Sequence, residues 1–184
     1  YYLYSPTVSY SQFLDLDSEI KRGCLDSIRK KKRVQILCYT LMPNHFHLLL
    51  KQEVNQGISQ FVADISNSYT RYLNLKRSRV GNLLQGTFKA TIIENGESFL
   101  QVSRYIHLNP YVSGKVNWRK KLEAYPYSSY RNWTSGRSDS LVDVSVIKQF
   151  TDYDKRDYAR FVEAKKKIDP SLGIENSILE KSLD

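Results

Sequence analysis

The sequence predicts an α+β fold with one antiparallel sheet and helices on one face of that sheet. Two observations predict it. Segments with helical spacing alternate with strand-like segments, and two of the strand-like segments are joined by a short turn. Separately, no apolar run is long enough to predict a membrane span. At 184 residues the chain can bury one core. A change of composition after Trp133 divides it into a domain over residues 1–133 and a helical extension over 134–184.

The amino-terminal part contains a helix followed by a strand hairpin. Tyr1 to Tyr4 are a candidate edge strand, and Asp17 is a candidate N-cap for a helix that runs through Lys32. The β-branched, apolar segment from Val34 to Thr40 indicates a strand. His45 to Gln52 indicates a second strand, and the four-residue turn between the two predicts an antiparallel hairpin.

The next elements are a long helix and a second strand region. Residues 58–76 have apolar side chains at alternating spacings of three and four, which predicts a helix with one buried face. That predicted buried stripe consists of Ile58, Phe61, Val62, Ile65, Tyr69, Tyr72 and Leu73. Leu83 to Glu94 then predicts one or two strands, with a bulge or corner at Gly86.

A second long helix completes the predicted domain. It extends from Glu97 to Asn109, and Pro110 is expected to end it. The order of helices and strands favours a ferredoxin-like arrangement. In the extension, short helices are predicted around residues 144–150 and 155–167, and the tail from Asp169 looks loosely attached.

The charge of the chain points to a polyanionic partner. Lysine and arginine number 28 against 19 acidic residues, which leaves a net charge of +9. Each basic cluster taken alone is typical of a solvated surface, but their number favours nucleic acid over a membrane surface. Two cysteines outside any CxxC pair predict a reduced, cytoplasmic protein. The candidate DNA contacts are Lys30, Lys31, Lys32, Arg33, Arg71, Arg77, Lys89 and Arg104.

The triplet His45-Phe46-His47 is the first candidate for chemistry. On a strand, the side-chain period of two places both imidazoles on one face and Phe46 on the other. Two imidazoles on a stiff backbone can hold a divalent metal, although an isolated pair is more often structural. The pair leaves room for a third ligand.

The second candidate lies on the predicted helix that ends at Pro110. Tyr105 precedes Asn109 by four residues, so one helix face carries both side chains. An amide oxygen beside two imidazoles suits Mg²⁺ or Mn²⁺ with positions open for phosphate oxygens. Asn109 could equally be a helix cap, and a single tyrosine is more often a packing residue. His107 points away from Tyr105 and is expected to be structural or to face DNA.

These residues lie in motifs that resemble the single-tyrosine HUH transposases, most closely the REP-associated tyrosine transposases of the IS200-like group. The motifs occur in the family's order over about residues 34–133. They are Met42-Pro43-Asn44-His45-Phe46-His47-Leu48-Leu49, Ser68-Tyr69-Thr70-Arg71-Tyr72-Leu73-Asn74, Gly81-Asn82-Leu83-Leu84-Gln85-Gly86-Thr87-Phe88-Lys89, Tyr105-Ile106-His107-Leu108-Asn109-Pro110 and Tyr125-Pro126-Tyr127-Ser128-Ser129-Tyr130.

The resemblance implies an enzyme that cuts and joins single-stranded DNA at hairpins through a 5′-phosphotyrosine. By position, Tyr105 would be the nucleophile, His45 and His47 the metal pair, and Asn109 the third ligand of Mg²⁺ or Mn²⁺. A domesticated protein that binds such hairpins without cutting remains the alternative. A relaxase or replication initiator is a third reading, which the lack of another free histidine disfavours. The resemblance leaves open a monomer or a homodimer.

Overall fold

The computed structural model describes residues 1–4, 6–115, 122–136, 141–145 and 154–164. The described chain divides into two compact units, one of Tyr1–Gln35 with Leu50–Leu84 and the other of Ile36–Leu49 with the residues from Gln85 onward. Within the described ranges, no helix combines the length and hydropathy required to cross a membrane. Both cysteines are free thiols.

The predicted hairpin is confirmed and so is the α+β class. Strand β1 spans Val34–Leu41 and strand β2 spans Phe46–Gln52, each within one residue of the predicted bounds. The pairing is antiparallel, because the Met42 amide donates to the His45 carbonyl at 2.8 Å and the Glu53 amide to the Arg33 carbonyl at 2.9 Å. In the described part of the chain, the sheet has these two strands, and single bridges join Tyr4 to Lys32, Ile36 to Val142 and Thr40 to Ser128. This is a smaller sheet than a ferredoxin-like order predicts.

The strands predicted between Leu83 and Glu94 are wrong. This segment is irregular apart from one bridge residue at Leu84. Leu83 and Leu84 are buried, whereas Ile92 is 84% exposed, so the segment has no continuous apolar face to pack on a sheet. Gly86, at φ +61°, turns the backbone where a strand would have to continue.

The first unit contains three helices. They are α1 (Tyr10–Asp15), α2 (Ser18–Ile28) and α3 (Gly57–Arg77). Asp17 caps α2 as predicted, accepting from two backbone amides of the first turn. Helix α2 ends four residues before Lys32, which instead bridges to Tyr4, the one described pairing of the candidate edge strand. Helix α3 begins at a glycine because a Cβ on Gly57 would lie 2.5 Å from the Arg33 carbonyl oxygen.

The predicted stripe of α3 is buried only in its first half. Phe61 and Val62 are almost fully buried, whereas Tyr69 and Tyr72 are 45% and 55% exposed. The helical period therefore predicted correctly which side chains share a face, but the prediction that both tyrosines are buried is wrong. Burial depends on what packs against a face, and the period of one helix does not contain that information.

The second unit contains α4 (Gly96–Val112), a 3₁₀ turn (Leu122–Ala124), α5 (Tyr130–Ser135) and α6 (Lys155–Glu163). Helix α6 confirms part of the predicted 155–167 helix; residues 146–153 and those beyond 164 lie outside the described residues. Tyr158 and Val162 of α6 are buried in the same core as α4, so the described part of the extension belongs to that core. The core consists of Leu37, Cys38, Leu49, Phe99, Ile106, Leu108, Leu122, Tyr130, Trp133, Tyr158 and Val162.

The prediction that α4 ends at Pro110 is also wrong, since the helix continues to Val112. A proline inside a helix has no N–H for the carbonyl four residues earlier, here that of Ile106. The Thr40 hydroxyl of β1 donates to that carbonyl at 2.8 Å. The hydrogen bond that Pro110 cannot make is thus replaced from another element, and the helix passes through the proline.

Candidate active site

Helix α4 places Tyr105 and Asn109 one turn apart on one face, as their spacing predicts. Asn109 is inside the helix, with its carbonyl accepting from the Ser113 amide at 2.9 Å. Ser113 is the residue that caps the helix, so Asn109 does not have the capping role that the sequence left open. Its amide side chain is available to the neighbouring strand.

The histidine pair stands at the beginning of β2. His45 immediately precedes the strand and is partly exposed, whereas His47 lies within it and is only 1% exposed. The two ring centroids are 4.9 Å apart in an edge-to-face arrangement. His45 Nδ1 lies 2.8 Å from the Asn44 Oδ1 atom, which can only accept, so Nδ1 donates this hydrogen bond and the neutral tautomer compatible with it has its lone pair on Nε2. Asn44 thereby fixes the orientation and tautomer of the His45 ring.

His47 joins the strand to the helix. Its Nε2 atom lies 2.9 Å from the Asn109 side-chain amide, within hydrogen-bond distance. Within the described residues, the buried Nδ1 atom has no hydrogen-bond partner. Burial, with a smaller contribution from neighbouring His45, lowers the pKa of His47 to about 4. The ring is therefore neutral at neutral pH, which is the form that can offer a lone pair to a metal.

Tyr105 faces the same ring within its own chain. The centroids of Tyr105 and His47 are 5.5 Å apart, edge to face. Tyr105 is partly exposed. The structure thus brings His45, His47, Tyr105 and Asn109 together within the second unit.

The donor types at this place fit a divalent cation. Two imidazoles and one amide can supply nitrogen and oxygen ligands. The buried Nδ1 atom of His47 lacks a partner among the described residues, but Asn109 Nδ2 donates to Nε2, so Nδ1 carries the proton in this arrangement and the lone pair that a metal would need is on Nε2. Among the described residues, no group of three or more His, Cys, Asp and Glu side chains could hold a metal. An amide as third ligand is consistent with that finding, because asparagine is outside that set.

His107 occupies a different environment and proves structural. It is fully buried, with Nδ1 2.7 Å from the Tyr158 hydroxyl and Nε2 2.9 Å from the Ser129 hydroxyl. Cys38 Sγ lies 3.2 Å from the same Nε2 atom. Burial lowers the pKa of His107 to about 3, so it is neutral in the folded protein. Of its two predicted roles, the structural one is confirmed.

The candidate DNA contacts differ in burial. Arg33 is buried and forms an ion pair with Asp64 at 2.7 Å, and the buried Arg104 guanidinium lies over the Phe161 ring and donates to the Ala164 carbonyl. Both side chains have partners inside the fold. The remaining candidates are exposed or half-exposed: Lys30, Lys31, Lys32, Arg71, Arg77 and Lys89.

Sequence reasoning missed three supporting residues. Asn44 orients His45, Thr40 carries α4 past Pro110, and Tyr158 holds His107. Asn44 could have been found from its place directly before the histidine pair. Thr40 and Tyr158 are 66 and 51 residues from their partners, and no local pattern signals such pairings.

Comparison with known families gives one match, over residues 9–109, to a family model described as "Transposase IS200 like". The matched range includes His45, His47, Tyr105 and Asn109 and covers more than half of the chain. Curated proteins and solved structures gave no significant match.

Proposed function

Because the chain belongs to the IS200-like transposase family, we propose that it cuts and rejoins single-stranded DNA at hairpin elements, with Tyr105 as nucleophile. The observation that carries this proposal is the contact of three side chains in one chain. His47 touches the Asn109 amide at 2.9 Å and stands 5.5 Å, centroid to centroid, from the Tyr105 ring. A phosphate held beside His47 would lie within reach of the phenol.

The cleavage step transfers one phosphoryl group. The Tyr105 oxygen attacks the phosphorus of a phosphodiester, forming an O–P bond as the P–O3′ bond breaks. The proton of the phenol ends on the departing 3′ oxygen. The products are a free 3′-hydroxyl and a strand joined to Tyr105 through its 5′ phosphate. Attack of another 3′-hydroxyl on this ester rejoins DNA without an external energy source.

Transposases of this family typically use divalent metals. We propose that His45, His47 and Asn109 hold Mg²⁺ or Mn²⁺, which when bound would neutralise charge on the phosphate oxygens. The protein's own contribution is to keep the His47 imidazole neutral through burial and to orient the His45 ring through the hydrogen bond from Nδ1 to Asn44.

An end-labelling experiment tests the proposal. Purified protein with Mn²⁺ is incubated with a hairpin library whose single-stranded flanks are randomised. A 3′-label should move onto the protein, because the tyrosine retains the 5′ phosphate, while a 5′-label should appear on a shorter free strand. Tyr105→Phe should lose the adduct completely and Tyr111→Phe, on the same helix, should keep it. Hairpin binding without any adduct would favour the non-cleaving alternative.

A mixing experiment tests whether one chain supplies the whole site. The intrachain contact between Tyr105 and His47 favours a site complete in a monomer. Tyr105→Phe and His47→Ala proteins, mixed in equal amounts, should then remain inactive together. Recovery of adduct in the mixture would instead mean that the tyrosine of one subunit serves the histidines of a second subunit.

A further inference from the structure

The second half of helix α3 presents aromatic and basic side chains to solvent. Tyr69, Tyr72 and Leu75 are 45%, 55% and 75% exposed. Lys76 and Arg77 of the last turn are also exposed. Isolated exposed aromatics are common on proteins, but two tyrosines one turn apart beside cations form a patch. The α3 surface is defined here as Tyr69, Arg71, Tyr72, Leu75, Lys76 and Arg77.

The two tyrosines and Lys76 share one helix face. Positions 69, 72 and 76 follow the spacing of three and four that puts side chains in a row, continuing the row of Phe61 and Val62. Lys76 Nζ lies 5.4 Å from the centroid of the Tyr72 ring and donates to its hydroxyl at 3.1 Å. A cation is therefore held at the edge of an exposed aromatic face, the combination that a nucleotide with its base and phosphate would use.

The charge of the segment is of one sign. Residues 65–82 contain four basic residues and no aspartate or glutamate. The basic residues are Arg71, Lys76, Arg77 and Arg79. Such a field attracts a polyanion and disfavours the same face of a second copy, which would oppose these cations to themselves.

We propose that the α3 surface is a binding site for unpaired nucleotides of single-stranded DNA, with bases stacked on Tyr69 and Tyr72 and phosphates beside Lys76 and Arg77. In a duplex stem the bases stack on one another, so the stem would offer the tyrosines no base face. The unpaired flank or loop of a hairpin has free base faces that could stack on the two tyrosines. This inference rests on the proposed function for the identity of the polymer, but it concerns binding and not cleavage.

Fluorescence anisotropy with a labelled oligo-dT tests the site without cleavage. Tyr69→Ala/Tyr72→Ala should weaken binding by at least about tenfold, since each stacked base is expected to contribute that order of affinity. Tyr69→Phe/Tyr72→Phe keeps both ring faces and should bind within about twofold of the parent. Lys76→Gln should lower the salt slope of log K by roughly 0.7, because one phosphate is no longer neutralised. Both tyrosines are exposed, so circular dichroism should show unchanged folding.

A second probe separates unpaired from paired DNA. A blunt hairpin with a minimal loop should bind the parent and the double alanine variant equally, while a hairpin with an unpaired flank should discriminate between them. Unchanged affinity of the double alanine variant for oligo-dT would overturn the proposal. The proposal would also be overturned if the parent sedimented as a dimer and the double alanine variant as a monomer, because the surface would then belong to a contact with a second copy. If the variant lost as much binding to anionic phospholipid vesicles as to oligo-dT, the surface would be assigned to a membrane.

The outcome for this site is distinguishable from the outcome for the catalytic site. If the parent binds oligo-dT through the tyrosines but forms no adduct, the nuclease proposal fails and the binding site stands. If the adduct forms on Tyr105 while the double alanine variant binds and cuts normally, the binding proposal alone fails.

Discussion

Two buried histidines of the second unit, His47 and His107, differ in how many of their ring nitrogens have a hydrogen-bond partner. Each is almost fully buried, and burial lowers the pKa of both, to about 4 and about 3. His107 has hydroxyl partners at both ring nitrogens. His47 has the Asn109 amide at Nε2 and, in the described part of the chain, no partner at Nδ1.

The difference separates a histidine whose two nitrogens both have partners from one with a nitrogen left for a further partner. A buried polar atom without a partner destabilises the folded state by about 1–3 kcal/mol. His107 stabilises the packing of β1, α4, α5 and α6 around it. His47 retains an unsatisfied nitrogen beside a tyrosine and a second imidazole, where a ligand could satisfy it.

The largest expected effect is on cleavage by His47 variants. His47→Ala should reduce adduct formation by roughly 100-fold or more, because it removes a proposed metal ligand. The folded state should lose less stability than such a buried position suggests, because the unpartnered nitrogen disappears with the ring. Adduct yield and urea unfolding measure the two effects, with Tyr127→Phe as control. If the His47→Ala protein cut at the parent's rate, His47 would be no more necessary for cleavage than His107, and the proposed role of His47 as a metal ligand would be wrong.

His107 variants should show the reverse pattern. His107→Ala leaves a cavity and removes the partner of the Tyr158 and Ser129 hydroxyls, so the free energy of unfolding should fall by about 2–4 kcal/mol. At low temperature, the fraction that remains folded should still form adduct. Urea unfolding monitored by circular dichroism gives the first quantity, and adduct per folded molecule gives the second. Complete loss of chemistry in a folded His107→Ala protein would contradict a structural role.

The pH dependence of stability sharpens the comparison further. The pKa of His107 is about 3 in the folded state and about 6.5 when unfolded, so the unfolded chain binds more protons between these values. Its contribution is complete above about pH 6.5 and is lost as the pH falls towards 3. The slope should be at most about 1.4 kcal/mol per pH unit for this one group. His107→Gln should unfold with a shallower acid slope, and an unchanged slope would assign the acid sensitivity elsewhere.

The smallest effect is expected for the hydroxyl that holds His107. Tyr158→Phe removes the partner of Nδ1 while keeping the ring in the core, so stability should fall by about 1–3 kcal/mol. The outcome measured is the midpoint of thermal unfolding, with adduct formation unchanged. Phe161→Leu, on the same helix, controls for loosening of α6. Equal stability of Tyr158→Phe and the parent would mean that water replaces the hydroxyl.

Much of the candidate site was predictable because it depends on local periods. The strand period placed His45 and His47 on one face, and the helical period placed Tyr105 and Asn109 one turn apart. The hairpin, the long helix α3 and the cap at Asp17 follow from similarly local signals. Where a prediction required knowledge of packing it was wrong, as for the strands between Leu83 and Glu94, the helix end at Pro110 and the buried tyrosines of α3.

By itself, the sequence determined which side chains share a face, since backbone geometry repeats every two or 3.6 residues whatever surrounds it. The tertiary structure alone decided which polar atoms find partners. His47 meets Asn109 across 62 residues and His107 meets Tyr158 across 51. Whether a buried nitrogen is satisfied depends on such distant contacts. For that reason, two histidines that look equally polar in the sequence differ in the folded protein in how many of their ring nitrogens have hydrogen-bond partners.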